Sequence, residues 1–185
     1  VFKKLSQSRG SLTGFMVVEH FLLRSLIGLH CLPAEADLII GCRNNLNRYF
    51  LSFFQHGTGS GCIAATLALE LPGSAVTATD ASSDALEIAK GNAEALHAPI
   101  TFAEGFWWDA VAADAVYDLI VSNPPYIRPD DEHLRNLECE PIGALTDGID
   151  GLECLRTIVA GAMAHLAPGG WILLEHGYDQ GDDVR

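Results

Sequence analysis

The sequence predicts an α/β protein, a mostly parallel, Rossmann-like sheet with helices on both faces. Two observations carry this. Short apolar runs alternate with amphipathic helical stretches from Leu51 onward, and the turns after those runs, Gly57-Thr58-Gly59-Ser60-Gly61 and Asn123-Pro124-Pro125-Tyr126, carry the special residues.

Residues 1–50 come first and read differently. Phe15, Val18, Leu22, Leu26 and Leu29 recur at helical spacing, which predicts one amphipathic helix before Pro33, and polar Gly41 to Arg48 reads as a loop or linker. The expected division is therefore a helical segment and linker over 1–50 and the chemistry-bearing domain over 51–185. Leu51 to Phe54 is the first strand. A helix follows with Ile63, Ala64, Leu67 and Ala68 on one face, stopping near Pro72-Gly73. Ala75 to Thr79 is a second strand, ended by Asp80. Ser82 or Ser83 then caps a helix whose Leu86, Ala89, Ala93 and Leu96 share a face. Ile100 to Ala103 and Tyr117 to Ser122 are the third and fourth strands. A long loop rich in Pro, Asp and Glu spans 127–150, a length that usually signals function. Leu152, Leu155, Ile158, Val159, Ala162 and Leu166 mark a helix closed by Pro168-Gly169-Gly170, and Trp171 to Glu175 is a fifth strand.

Composition narrows the function classes. The 185 residues, 49% hydrophobic, suffice for one domain with its own core. Eleven Lys plus Arg against 24 Asp plus Glu give a net charge of -13, which repels polyphosphate and suits a basic partner or a small molecule, or serves solubility alone. The five cysteines form no C-x-x-C pair, so neither a disulfide framework nor a metal site is indicated, and reduced cytoplasmic thiols are expected. The longest apolar run, around Phe15 to Leu29, is broken by Glu19, His20 and Arg24, which argues against a membrane span or a signal peptide.

The chemistry concentrates at the strand ends. Gly57, Gly59 and Gly61 let the backbone turn sharply and approach a ligand, while the next helix points free N–H groups at it; many such turns bind nothing. The G-x-G-x-x-G register of a dinucleotide site and the G-K-[ST] of a phosphate loop are both missing. Asp80 is placed to accept hydrogen bonds from a ribose diol, or else to cap a turn. Trp107 and Trp108 offer an indole platform for an adenine, or simply core, and periodicity does not decide which of them faces in.

Asn123-Pro124-Pro125-Tyr126 is the most specific of these turns. Two prolines fix φ and restrict the residue before them, so Asn123 Oδ1 and the Pro124 carbonyl form a rigid pair of acceptors. Such a pair traps an NH2 group. An amide nitrogen is a poor nucleophile with two N–H donors, and holding both aligns it for attack on a sulfonium methyl while opposing its developing positive charge. Tyr126 would pack over the plane of the substrate.

These residues carry a family resemblance. The chain resembles the peptide-chain release factor glutamine N5-methyltransferases, the HemK-like or PrmC-like group, from about Gly57 to Arg185. The shared elements are Gly57 to Cys62, Thr79 to Ser82, Val121 to Ile127, Glu140-Pro141, Asp150 to Leu152 with Arg156 and Ile158, and Pro168 to Gly181. The resemblance implies a class I S-adenosylmethionine-dependent methyltransferase fold, S-adenosylmethionine as cofactor, and as substrate the glutamine of a Gly-Gly-Gln loop in a release factor. Gly57, Thr58, Gly59, Gly61 and Asp80 would line the cofactor site, with Asn123 at its edge and Trp107 on the adenine. Asn123, Pro124 and Tyr126 would hold the glutamine amide, with Pro125, Glu140 and Pro141 on the substrate side. The protein is expected to be a cytoplasmic monomer that binds no nucleic acid directly.

There are departures. The family carries an acid and a Leu where this chain has Gln55 and His56, which removes a charge-assisted hydrogen bond worth about 1.5–3 kcal/mol to the methionine amino group. The usual acid before the stacking tryptophan is here Phe106. The family's last antiparallel strands would lie beyond Arg185, leaving a sheet edge open. Two other readings stand beside this one. An adenine or amine methyltransferase acting on nucleic acid would want a basic face, whereas 127–150 has only Arg128 and Arg135 amid more numerous acids. A non-catalytic remnant would explain Gln55 and Phe106.

Overall fold

The structure, a computed structural model, describes residues 2–6, 12–19, 51–137 and 139–185. Its elements are β1 (Phe2–Ser6), β2 (Leu12–Glu19), β3 (Ser52–His56), α1 (Cys62–Glu70), β4 (Ala75–Asp80), α2 (Ser83–Leu96), β5 (Ile100–Glu104), β6 (Tyr117–Ser122), α3 (Glu153–His165), β7 (Leu166–His176) and the single turn α4 (Gly181–Val184). The strands form one seven-stranded sheet in the order β1-β2-β7-β6-β3-β4-β5. Every ladder is parallel except β1 with β2.

Side-chain alternation explains the layering. Successive residues of a strand point to opposite faces, so Phe53 with Leu119 and Val121 joins the core under α1 and α2, while Phe54 with Ile120, Ile172 and Leu174 joins the core under α3. All six residues of β6 are buried, as expected of a central parallel strand covered on both faces. At its lower end Asp118 Oδ2 accepts from the Ser52 N–H (2.9 Å) and hydroxyl (3.0 Å), which clamps β6 to β3.

From β3 the chain steps outward through β4 to β5, then crosses back to β6 and β7. The reversal falls between β3 and β6. In an open parallel sheet this is where strand ends diverge and leave a crevice.

Three expectations require correction. The helix expected over Phe15 to Leu29 is not formed at its start: Phe15 and Val18 lie in β2, while Leu22, Leu26 and Leu29 fall outside the described residues. Leu12–Glu19 holds an apolar run with adjacent valines, which fits a strand as well as a helix, and β7 supplies a ladder for its backbone. For the same reason the open sheet edge beside β7 is absent, since β2 pairs with it from Gly14↔Trp171 to Glu19↔His176. The sheet therefore does not respect a boundary at residue 50. Finally, Pro168-Gly169-Gly170 does not close the preceding helix. That helix ends at His165, and Pro168 to Gly170 lie inside β7, where Gly169 has φ +83° and the β6–β7 register shifts between Tyr117 and Leu119.

Candidate active site at the carboxyl edge of the sheet

β3 and β6 run side by side in register, His56 opposite Ser122, and the Ser122 hydroxyl donates to the His56 carbonyl (3.1 Å). The next residues on the two strands are Gly57 and Asn123. Register thus brings the glycine turn and the Asn-Pro-Pro-Tyr turn together at the switch point.

Gly57, Gly59 and Gly61 have φ of +59°, +54° and +81°. A Cβ at Gly57 or Gly59 would meet no atom within 4 Å, so space stands open beside both; at Gly61 it would lie 3.0 Å from Ala89 Cβ. The first two glycines therefore leave the surface of the turn open. The third serves close packing of α1 on α2. Gly61 is also the N-cap of α1, with no side chain capping the helix, so first-turn N–H groups remain available.

Thr58 is placed differently from expectation. Its side chain is buried and its hydroxyl donates to Gln55 Oε1 (3.0 Å), while its N–H bonds the Thr79 carbonyl (2.9 Å). Thr58 thus locks the turn from beneath rather than facing a ligand with its hydroxyl. Gln55, in the position of the family's acid, is itself 1% exposed.

Asp80 takes up both sides of the turn. Oδ2 accepts from the Gly59 N–H (2.8 Å) and Oδ1 from the Ser82 N–H (2.9 Å). Each oxygen keeps a further lone pair, so turn-capping and acceptance from a diol are compatible. Ser82, not Ser83, caps α2 by accepting from the Ala85 N–H (3.2 Å).

The two tryptophans separate. Trp108 stacks on His165 (4.7 Å, 5°) and donates its indole N–H to the Thr157 carbonyl (3.1 Å), so it belongs to the packing of α3. Trp107, with φ +44°, is half-buried and sets a ring edge against His56 at 5.8 Å. Phe106 beside it is 69% exposed. His56 is enclosed by Phe54, Trp107 and Trp108, and neither ring nitrogen has a hydrogen-bond partner. Burial, with repulsion from His165 second, pushes its pKa down to about 3, so the ring is neutral at ordinary pH.

On the other strand end, the Asn123 side chain is exposed while Pro124 is buried and Pro125 half-buried. The phenol of Tyr126 donates to Glu175 Oε1 on β7 (3.0 Å), and its carbonyl accepts from Gln180 Nε2 (2.9 Å). The loop beyond is not structureless: it holds 3-10 turns at Glu132–Asn136 and Ile142–Ala144, and the Ile127 N–H bonds the Leu145 carbonyl (2.9 Å). Glu140 and Pro141 are exposed on the turn before Ile142. The Ile127–Leu145 bond ties this part of the loop to the residue after Tyr126. Asp147 accepts from Ile149, Gly151 and Glu153 N–H groups, which caps α3 and sets the turn into it. Glu175 and Gln180 were not singled out from sequence as site residues. An acid next to the end of the apolar strand β7 was a signal for Glu175; Gln180 lies within the shared run Pro168 to Gly181 but carries no pattern of its own.

A mostly parallel sheet with this strand order, helices on its faces and a glycine turn at the switch point has the class I methyltransferase fold. The chain belongs to the family described as methyltransferase small domain, which it matches over residues 45–138. It is 52% identical over 132 residues to a protein of Neisseria gonorrhoeae named release factor glutamine methyltransferase, a match that covers 70% of this chain and 48% of that protein. A protein of Xylella fastidiosa with the same name is 53% identical over 133 residues, again 70% of this chain and 48% of the relative. The chain thus spans about half the length of the curated relatives it matches. Among solved structures, TrmN from Thermus thermophilus superposes with a TM-score of 0.52 at 24% identity, covering 77% of this chain and 38% of that one. A methyltransferase from Pyrococcus furiosus gives 0.50 at 22% identity, covering 78% and 67%. Among the described residues no helix is long and apolar enough to cross a membrane, and no group of His, Cys, Asp and Glu is arranged to hold a metal ion.

Proposed function

We propose that this chain carries the catalytic site of a methyltransferase that moves a methyl group from S-adenosylmethionine to the side-chain amide nitrogen of the glutamine in a release factor's Gly-Gly-Gln motif. The observation that carries the reading is the exposed Asn123 side chain at the end of β6, set in register beside the open space at Gly57 and Gly59.

The residues present fit the cofactor. Gly57 and Gly59 leave room that any Cβ would narrow, α1 presents uncapped N–H groups, Asp80 retains acceptor capacity for a diol, and Trp107 offers a half-buried ring. When bound, S-adenosylmethionine supplies an electrophilic methyl group on a sulfonium. The chain's own work is on the acceptor. Asn123 Oδ1 and the Pro124 carbonyl each accept one N–H of the glutamine amide, which turns its lone pair toward the donor and opposes the positive charge that grows on nitrogen. The two proline rings keep that pair rigid. No strong base is needed, because the proton becomes acidic as the nitrogen is alkylated. The excess of acids suits a basic protein partner and disfavours a nucleic acid backbone.

The test is mass spectrometry of a release factor incubated with the chain and S-adenosylmethionine. The expected result is one added methyl group on the Gly-Gly-Gln glutamine, formed about 10²-fold more slowly by Asn123→Ala. Unchanged transfer by Asn123→Ala would remove Asn123 from its role. Calorimetry separates the remnant reading: absence of cofactor binding by the wild-type chain would overturn the claim that this chain is catalytic.

A further inference from the structure

We propose that Gln180 is a positioning residue for the acceptor turn, holding the Asn123–Tyr126 segment in place through Tyr126 without itself touching substrate or cofactor. The proposal rests on the methyltransferase reading above and goes beyond it, since Gln180 lies on a different segment from every residue assigned to the site.

Gln180 sits between β7 and α4 and is 3% exposed. Its amide oxygen accepts from the Gly177 N–H (2.8 Å), and its Nε2 donates to the carbonyls of Tyr126 (2.9 Å) and Gly151 (3.1 Å). One planar group therefore joins three segments: the exit of β7, the acceptor turn, and the turn into α3. The requirement is specific to glutamine, because the site needs two donors and one acceptor in a single rigid unit. A glutamate would set carboxylate lone pairs against two carbonyl oxygens.

Two further observations support the assignment. Gly151 has φ +77°, and a Cβ there would collide with the Tyr126 carbonyl oxygen and approach Gln180 Nε2 to 2.9 Å, so the absence of a side chain at 151 makes the three-way junction possible. The other end of Tyr126 is held by the same strand exit, through its phenol on Glu175, which is 2% exposed. Tyr126 is thus pinned at both carbonyl and hydroxyl. The prolines stiffen the turn, and these bonds fix where the stiff unit points. Misplacing a reacting group by about 1 Å can cost about 10²-fold in rate.

The experiment compares the full chain with Gln180→Glu and, as a second variant that keeps Gln180, Gly151→Ala. Methyl transfer to a release factor is resolved into kcat and KM, S-adenosylmethionine affinity is measured by calorimetry, and backbone amide exchange is followed by mass spectrometry. We expect kcat to fall about 10²-fold in either variant with cofactor affinity retained. Exchange should quicken at Ile127 and around Gly151 while β3 and β4 amides keep wild-type rates. Wild-type kcat in Gln180→Glu would overturn the proposal, and so would a loss shared between kcat and cofactor affinity with faster exchange throughout the sheet. If the wild-type chain transfers no methyl group, the functional reading fails separately. Exchange at Ile127 then decides the anchoring role, local acceleration supporting it and unchanged exchange overturning it.

Discussion

His56 shows how one residue can be out of character with its surroundings. It ends β3, is fully enclosed, and has two ring nitrogens without partners. An unsatisfied buried polar group costs about 1–3 kcal/mol, so His56→Leu should raise stability by about that amount at pH 7. The pH dependence has a definite sign. The folded pKa, about 3, lies below the ordinary 6.5, so between those values the unfolded chain binds a proton that the folded chain does not. Stability contributed by the neutral ring is whole above pH 6.5 and is lost as pH falls toward 3, by about 1.4 kcal/mol for each unit crossed. Urea midpoints of wild type and His56→Leu at pH 7, 6 and 5 test this. Parallel curves would mean that His56 is protonated without penalty.

At the scale of elements, the glycine turn and the two helices beside it act as one unit. Gly61 combines φ +81° with a 3.0 Å approach to Ala89, so Gly61→Ala both strains the backbone and separates α1 from α2. The expected cost is about 1–3 kcal/mol in urea denaturation. Cofactor affinity should weaken as well, because the N-terminus of α1 moves. Gly59→Ala is a useful contrast: it meets the same backbone strain but nothing within 4 Å, so its effect on stability should be smaller and its effect on binding comparable. A larger stability loss at Gly59 than at Gly61 would place the packing role at the wrong glycine.

Across the whole molecule, the sheet runs past the residues with family resemblance. β2 lies between β1 and β7 and pairs with both, so its backbone groups are engaged on two sides. Val17→Pro, opposite Leu174, removes an N–H and obstructs a ladder; we expect about 3 kcal/mol of destabilisation by urea titration. The same change should reduce methyl transfer, because β7 carries Glu175 and leads directly to Gln180. Stability equal to wild type would show that β2 adds nothing to the sheet.

From Leu51 to His176 the order and type of every strand and main helix could be read from the sequence, because apolar runs in a buried parallel sheet and amphipathic stretches over it leave different periodicities. Turn chemistry was equally plain: prolines after Asn123 and glycines at 57, 59 and 61 restrict the backbone locally, wherever the chain goes next. Tertiary structure decided the rest. Whether Leu12–Glu19 became helix or strand depended on the ladder that β7 offered, and the binding of Trp108 into the packing of α3 depended on His165 and the Thr157 carbonyl lying across from it. The bonds of Tyr126 to Glu175 and of Gln180 to Tyr126 and Gly151 are likewise set by distance in space. Hydrogen bonds between residues dozens of positions apart leave no local periodicity, so they emerge only once the strands are in register.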